Sequence, residues 1–65
     1  MVDYATWVGI VSQLAEDAGL SLDFQTNQEI ISTAAKIWNQ DKEQIKQMTK
    51  VEARNHAELE IEIEL

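Results

Sequence analysis

The sequence has no cysteine and no proline, and only two of its 65 residues are glycine, Gly9 and Gly19. Without cysteine there is no disulfide to staple a small domain and no thiolate zinc site. His56 is the only histidine, so one chain cannot assemble a zinc site from histidines alone. Basic residues are scarce: 5 Lys and Arg stand against 12 Asp and Glu, for a formal net charge of -7. That balance opposes attraction to nucleic acid and to anionic membranes. No apolar run approaches the roughly 20 residues a membrane-spanning helix needs. Met1-Val2-Asp3-Tyr4 also lacks the basic start of a secretory signal. These absences predict a protein of the cytoplasm or of an assembled particle, with no cofactor, no metal and no direct contact with nucleic acid or membrane.

The length allows a single domain, residues 1–65. A chain this short buries only roughly 60% of the surface its unfolded form exposes. Ordering it costs about 1.5 kcal/mol per residue, so core and cost nearly cancel. With disulfides excluded, association with another chain is the staple that remains.

What is present reads as mostly α. Asp3 can cap a helix, because its carboxylate accepts from the free N–H groups of the first turn. At 100° per residue Tyr4, Trp7, Val8, Val11, Leu14, Ala15 and Ala18 share one arc. Gly19 suits the left-handed position that ends a helix, which predicts a helix over 4–18. Leu20-Ser21-Leu22-Asp23-Phe24 alternates apolar and polar, and reads as a connector tucked under the helices rather than a lone strand. Thr26-Asn27-Gln28-Glu29 fits a capping box, and Ile30, Ile31, Ala34, Ile37 and Trp38 then fill a second arc.

The end of this second helix is the open structural question. No Gly or Pro follows Gly19, and good helix formers dominate what comes next. Ile45, Met48, Leu59 and Ile63 return to the apolar arc, interrupted by Asp41, Glu52, Asn55 and His56. The preferred expectation is a long helix over about 27–57, straight or kinked near 41 or 49. The alternative is a break at the second capping-box pattern, Thr49-Lys50-Val51-Glu52. Leu59-Glu60-Ile61-Glu62-Ile63-Glu64-Leu65 alternates strictly, so 58–65 is expected to be an acidic amphipathic tail forming a short strand or extended segment. The expected fold class is thus mostly α, a helical hairpin whose tail is either a short C-terminal strand or an extended segment.

No phosphate loop, GxSxG, HExxH or EF-hand pattern occurs, and no enzyme is expected. Catalytic residues are therefore not assigned. Glu58, Glu60, Glu62 and Glu64 would stand about 7 Å apart along one face of a strand, which reads as a solvated face rather than paired catalytic carboxylates. His56 reads as a surface or interface residue. Trp7 and Trp38 both read as core residues packing the two helices, although Trp is also enriched at interfaces. Ala5 and Gly9 place small residues on the far side of the first helix, where another helix could approach closely. Lys42, Lys46, Lys50 and Arg54 recur every four residues, as a winding stripe that is either ordinary surface or a docking site for something acidic.

Geometry adds an argument for a partner. At 1.5 Å per residue the first helix spans about 22 Å and a 27–57 helix about 46 Å. The overhang would expose Ile45, Met48, Leu59, Ile61, Ile63 and Leu65 as partner-binding residues. The basic stripe and the acidic tail would set orientation. The resulting expectation is a non-catalytic interaction subunit that self-associates or docks into a larger assembly, such as a viral particle or a multi-subunit machine. The competing reading is an acidic inhibitor that mimics nucleic acid.

Overall fold

The computed structural model describes the backbone of residues 1–19 and 24–64 and the side chains of residues 1–19 and 26–61. Three helices follow one another: α1 (Tyr4–Asp17), α2 (Phe24–Ile45) and α3 (Lys50–Glu64). The mostly α class is as the periodicity predicts, and no strand occurs among the described residues.

α1 begins where its cap requires. The Asp3 carboxylate accepts from the Thr6 N–H at 2.8 Å. At the other end Gly19 takes φ +82, and its N–H donates to the Glu16 carbonyl at 2.9 Å. α2 opens at Phe24, two residues before Thr26, so the Thr26–Glu29 pattern falls inside the helix and is not its boundary. The connector expected over 20–24 lies outside the described residues, apart from the backbone of Phe24.

The long second helix is the main correction. α2 stops at Ile45 and α3 starts at Lys50. The last turn of α2 tightens: Gln47 N–H donates to the Gln44 carbonyl at 3.2 Å and Met48 N–H to the Ile45 carbonyl at 3.0 Å. These three-residue steps satisfy carbonyls that a continuing α-helix would have used. Thr49 then starts the next helix. Glu52 N–H donates to Thr49 Oγ1 at 3.2 Å, and Thr49 N–H donates to Glu52 Oε1 at 3.0 Å. This reciprocal pair is the capping box in full, and it breaks the helix without Gly or Pro.

Folding α3 back brings it mainly against α1 and less against α2. The molecule is 31 Å in its longest dimension, well short of the roughly 46 Å of a straight 27–57 helix. The expected overhang does not form.

The C-terminal strand is the second correction, since the chain is helical through Glu64. A lone edge strand would leave its backbone groups unpaired, whereas a helix pairs them within itself. The core explains how the helix is held. Ala53 and Ala57 are wholly buried, and Ile61 packs against them from one turn further on. Their spacing of four puts all three on one face, and two alanines let α3 approach closely. Facing them are Trp7, Val11 and Ala15 of α1 and Ile30, Ala34, Ile37 and Ile45 of α2, with Val2 closing one end.

Candidate functional site

Two features outside the core concentrate chemistry. The first is an apolar surface on the α1–α2 pair. Trp7 and Trp38, equivalent by periodicity, divide here. Trp7 is fully buried and its indole N–H donates to the Ala34 carbonyl at 2.9 Å. Trp38 is half-buried and meets Tyr4 edge-on, with ring centroids 5.5 Å apart. Tyr4 and Ile31 are each 42% exposed. Ile31 lies two turns from Trp38 on nearly the same line of α2, since seven steps of 100° return to within 20°. The exposed lysine Lys42 continues that line by one turn.

A groove of about 340 Å³ lies at the other end of the same helix pair, lined by Val11, Leu14, Ala15 and Ala18 of α1, Thr26, Glu29, Ile30 and Thr33 of α2, and Ile61 of α3. A second, shallower hollow of about 360 Å³ separates Thr6, Gly9, Ile10 and Gln13 from Lys50, Val51 and Arg54. Gly9 thus faces α3 only across an open hollow, and Ala5 is exposed and does not line it, so no close helix approach is made on this side within the chain.

The second feature joins α2 to α3. His56 Nε2 lies 3.0 Å from Asp41 Oδ2, and both side chains are largely shielded, at 15% and 26% exposure. Glu60 stands one turn beyond His56. One ligating atom from each of Asp41, His56 and Glu60 lies within 4.8 Å of the others. The His56 ring also tilts against Trp7, with centroids 6.3 Å apart. Asp41 and His56, two of the four polar interruptions of the apolar arc, thus partner each other across the corner. A nitrogen and two carboxylates are a donor set that a divalent metal ion could use.

The expected partner-binding residues scatter. Ile45 is wholly buried in the chain's own core. Met48 and Ile61 are half-buried against it. Leu59 is 65% exposed, because two helical steps turn it about 200° from Ile61. The side chains of Ile63 and Leu65 lie outside the described residues.

The charged residues separate as well. Lys42 stays in the last turn of α2 and Lys46 in the turn that follows it, while Lys50 and Arg54 move onto α3. Arg54 donates to Asp17 Oδ2 of α1 at 2.7 Å and lies 3.6 Å from Glu58 Oε1. Glu58 and Glu60 diverge by about 200° on the helix, so they do not form the even row of an extended segment. The side chains of Glu62 and Glu64 lie outside the described residues.

Three carboxylates titrate below their ordinary range, each because hydrogen bonds favour the ionised form. Asp17 is lowered chiefly by Arg54 and then by Gln13. Asp3 is lowered by Thr6, and Glu52 by the backbone N–H and the hydroxyl of Thr49. All three hold helix ends or helix pairs in place.

No family model matches this chain, and neither a curated protein nor a solved structure matches it.

Proposed function

We propose that this chain is a non-catalytic interaction subunit that docks onto a different protein through the Tyr4–Trp38–Ile31 surface. The observation that carries the reading is the aromatic pair left at the surface. Tyr4 and Trp38 already lock each other edge-on, so little side-chain freedom remains to be lost on binding. Tyr and Trp with few rotatable bonds are the residues that most often dominate interface energy. Ile31 extends the apolar area along α2, and Lys42 supplies a charge at its edge. A partner offering an apolar stripe with an acidic group at one end fits this surface.

A different protein has better support than a second copy. Self-association would need an overhanging second helix, and none forms, because its second half is α3, folded back mainly onto α1 of the same chain.

The test uses Tyr4→Lys and Ile31→Lys, two surface changes that leave the core intact. The chain is purified from its own cells, and its mass is measured by light scattering with and without the proteins that accompany it. The wild-type chain is expected to emerge with a partner, and both variants to emerge alone at 7.4 kDa. Variants that keep the partner overturn this surface. A wild-type chain that emerges alone as a monomer overturns the interaction role.

A further inference from the structure

We infer that Asp41, His56 and Glu60 form a binding site for a divalent first-row transition metal of the zinc class, and that the bound ion clamps α3 to α2. The inference is independent of the docking surface, which lies on other residues.

Three observations converge on it. The donor atoms come from two successive helices, with Asp41 and His56 fifteen positions apart, and they lie within 4.8 Å of one another. In a tetrahedral zinc site, with bonds of about 2.0–2.2 Å, neighbouring donor atoms stand about 3.3 Å apart. His56 Nε2 and Asp41 Oδ2 are already at 3.0 Å. Glu60, the longest of the three side chains, has the reach to close the remainder. All three are partly buried, and the Trp7 ring walls one side of His56, so the site is not an open patch of surface acids.

The chemistry selects the ion. Two carboxylates and a neutral imidazole carry a charge of -2, which matches a divalent cation. Imidazole favours zinc and its neighbours over magnesium and calcium, which take oxygen donors. In the metal-bound form His56 Nε2 exchanges its hydrogen bond to Asp41 for the ion, and the ring proton resides on Nδ1. Three protein donors leave a fourth position for water.

The position explains what the ion would do. α3 packs mainly on α1 and touches α2 least. A metal bridging Asp41 of α2 to His56 and Glu60 of α3 strengthens that weakest contact. It also supplies a staple in a chain that has no disulfide. Binding energy of this kind is folding energy, because the site does not exist in the unfolded chain.

The test titrates zinc chloride into the full chain at pH 7 by calorimetry and follows thermal unfolding in parallel. One ion per chain is expected, with a dissociation constant of micromolar order. The melting temperature should rise by about 10 °C or more at hundredfold excess over that constant, and magnesium chloride at the same concentration should leave it unchanged. His56→Gln and Glu60→Gln should each weaken zinc binding at least tenfold, whereas Glu58→Gln should not. Cobalt provides a second readout in a Trp38→Phe background: bound at His56, it should quench the fluorescence of Trp7. Glu60→Gln keeps the Asp41–His56 pair, so it decides the matter even where His56→Gln does not fold. Absence of zinc binding below millimolar concentration overturns the site. So does zinc binding that Glu60→Gln leaves unchanged, since the ion would then sit on other carboxylates.

Discussion

Replacing Trp7 by Phe probes the centre of the bundle. Trp7 is fully buried, and its indole N–H reaches the Ala34 carbonyl of α2. That carbonyl is also an acceptor of the α2 ladder, so losing the indole leaves it bonded once rather than orphaned. The cost of the lost bond is then the net value of one hydrogen bond, about 1 kcal/mol. Phe is smaller by about 40 Å³, which at about 24 cal/mol per Å³ of unfilled cavity adds about 1 kcal/mol. The apolar area no longer buried contributes a further amount of less than about 1 kcal/mol. The expected total is about 2–3 kcal/mol. A 65-residue domain has a total stability of about 3–10 kcal/mol, and each kcal/mol moves its melting point by about 4–8 °C. Thermal unfolding followed by helical circular dichroism should therefore show Trp7→Phe melting about 10–20 °C below wild type. Trp38→Phe, at a half-buried site, should fall by only a few degrees. The reasoning is refuted if Trp7→Phe melts within about 3 °C of wild type, or if the two variants are equally destabilised.

The two glycines should respond with opposite signs to alanine, although at neither position does an added Cβ meet, beyond its own chain neighbours and helix backbone, any atom of the described residues within 4 Å. Gly9→Ala, in the interior of α1, should stabilise by about 0.5–1 kcal/mol through helix propensity, and Gly19→Ala should destabilise by about 1–2 kcal/mol because φ +82 disfavours a side chain; urea midpoints at constant slope report both. Acid should loosen the helix caps and the α1–α3 contact. Asp3, Asp17 and Glu52 have folded pKa values below their unfolded ones, so their contribution is fully present above the ordinary carboxylate range and is lost as pH falls through the lowered values. The gap in melting temperature between wild type and Asp17→Asn should accordingly be widest near pH 7 and close below about pH 4; a gap that widens on acidification would contradict this.

Local rules in the sequence determined a good deal. The Asp3 cap, the Gly19 terminator and the α1 arc each depend on a few adjacent residues and on backbone geometry; the cap and the terminator are realised as read, and the arc is realised at its centre, with Tyr4 and Ala18 exposed at its two ends. The Thr49–Glu52 capping box was legible too, but as one of two outcomes. Whether a helix continues through such a pattern depends on what its far side can bury, which is a property of the folded chain. The stripe that decided it, Ala53, Ala57 and Ile61, is nearly silent in hydropathy because two of its three members are alanine. Its value lies in close approach to α1, and no periodicity displays that. The alternation in 59–65 misled for the same reason: period 2 is a strand signal only where another strand can pair with it. Tertiary structure also separated two tryptophans that occupy equivalent arc positions, sending Trp7 inward and leaving Trp38 at the surface. It turned Asp41 and His56 from interruptions of an apolar stripe into partners 3.0 Å apart. Fifteen positions separate them in sequence, and only the corner at 46–49 brings them together.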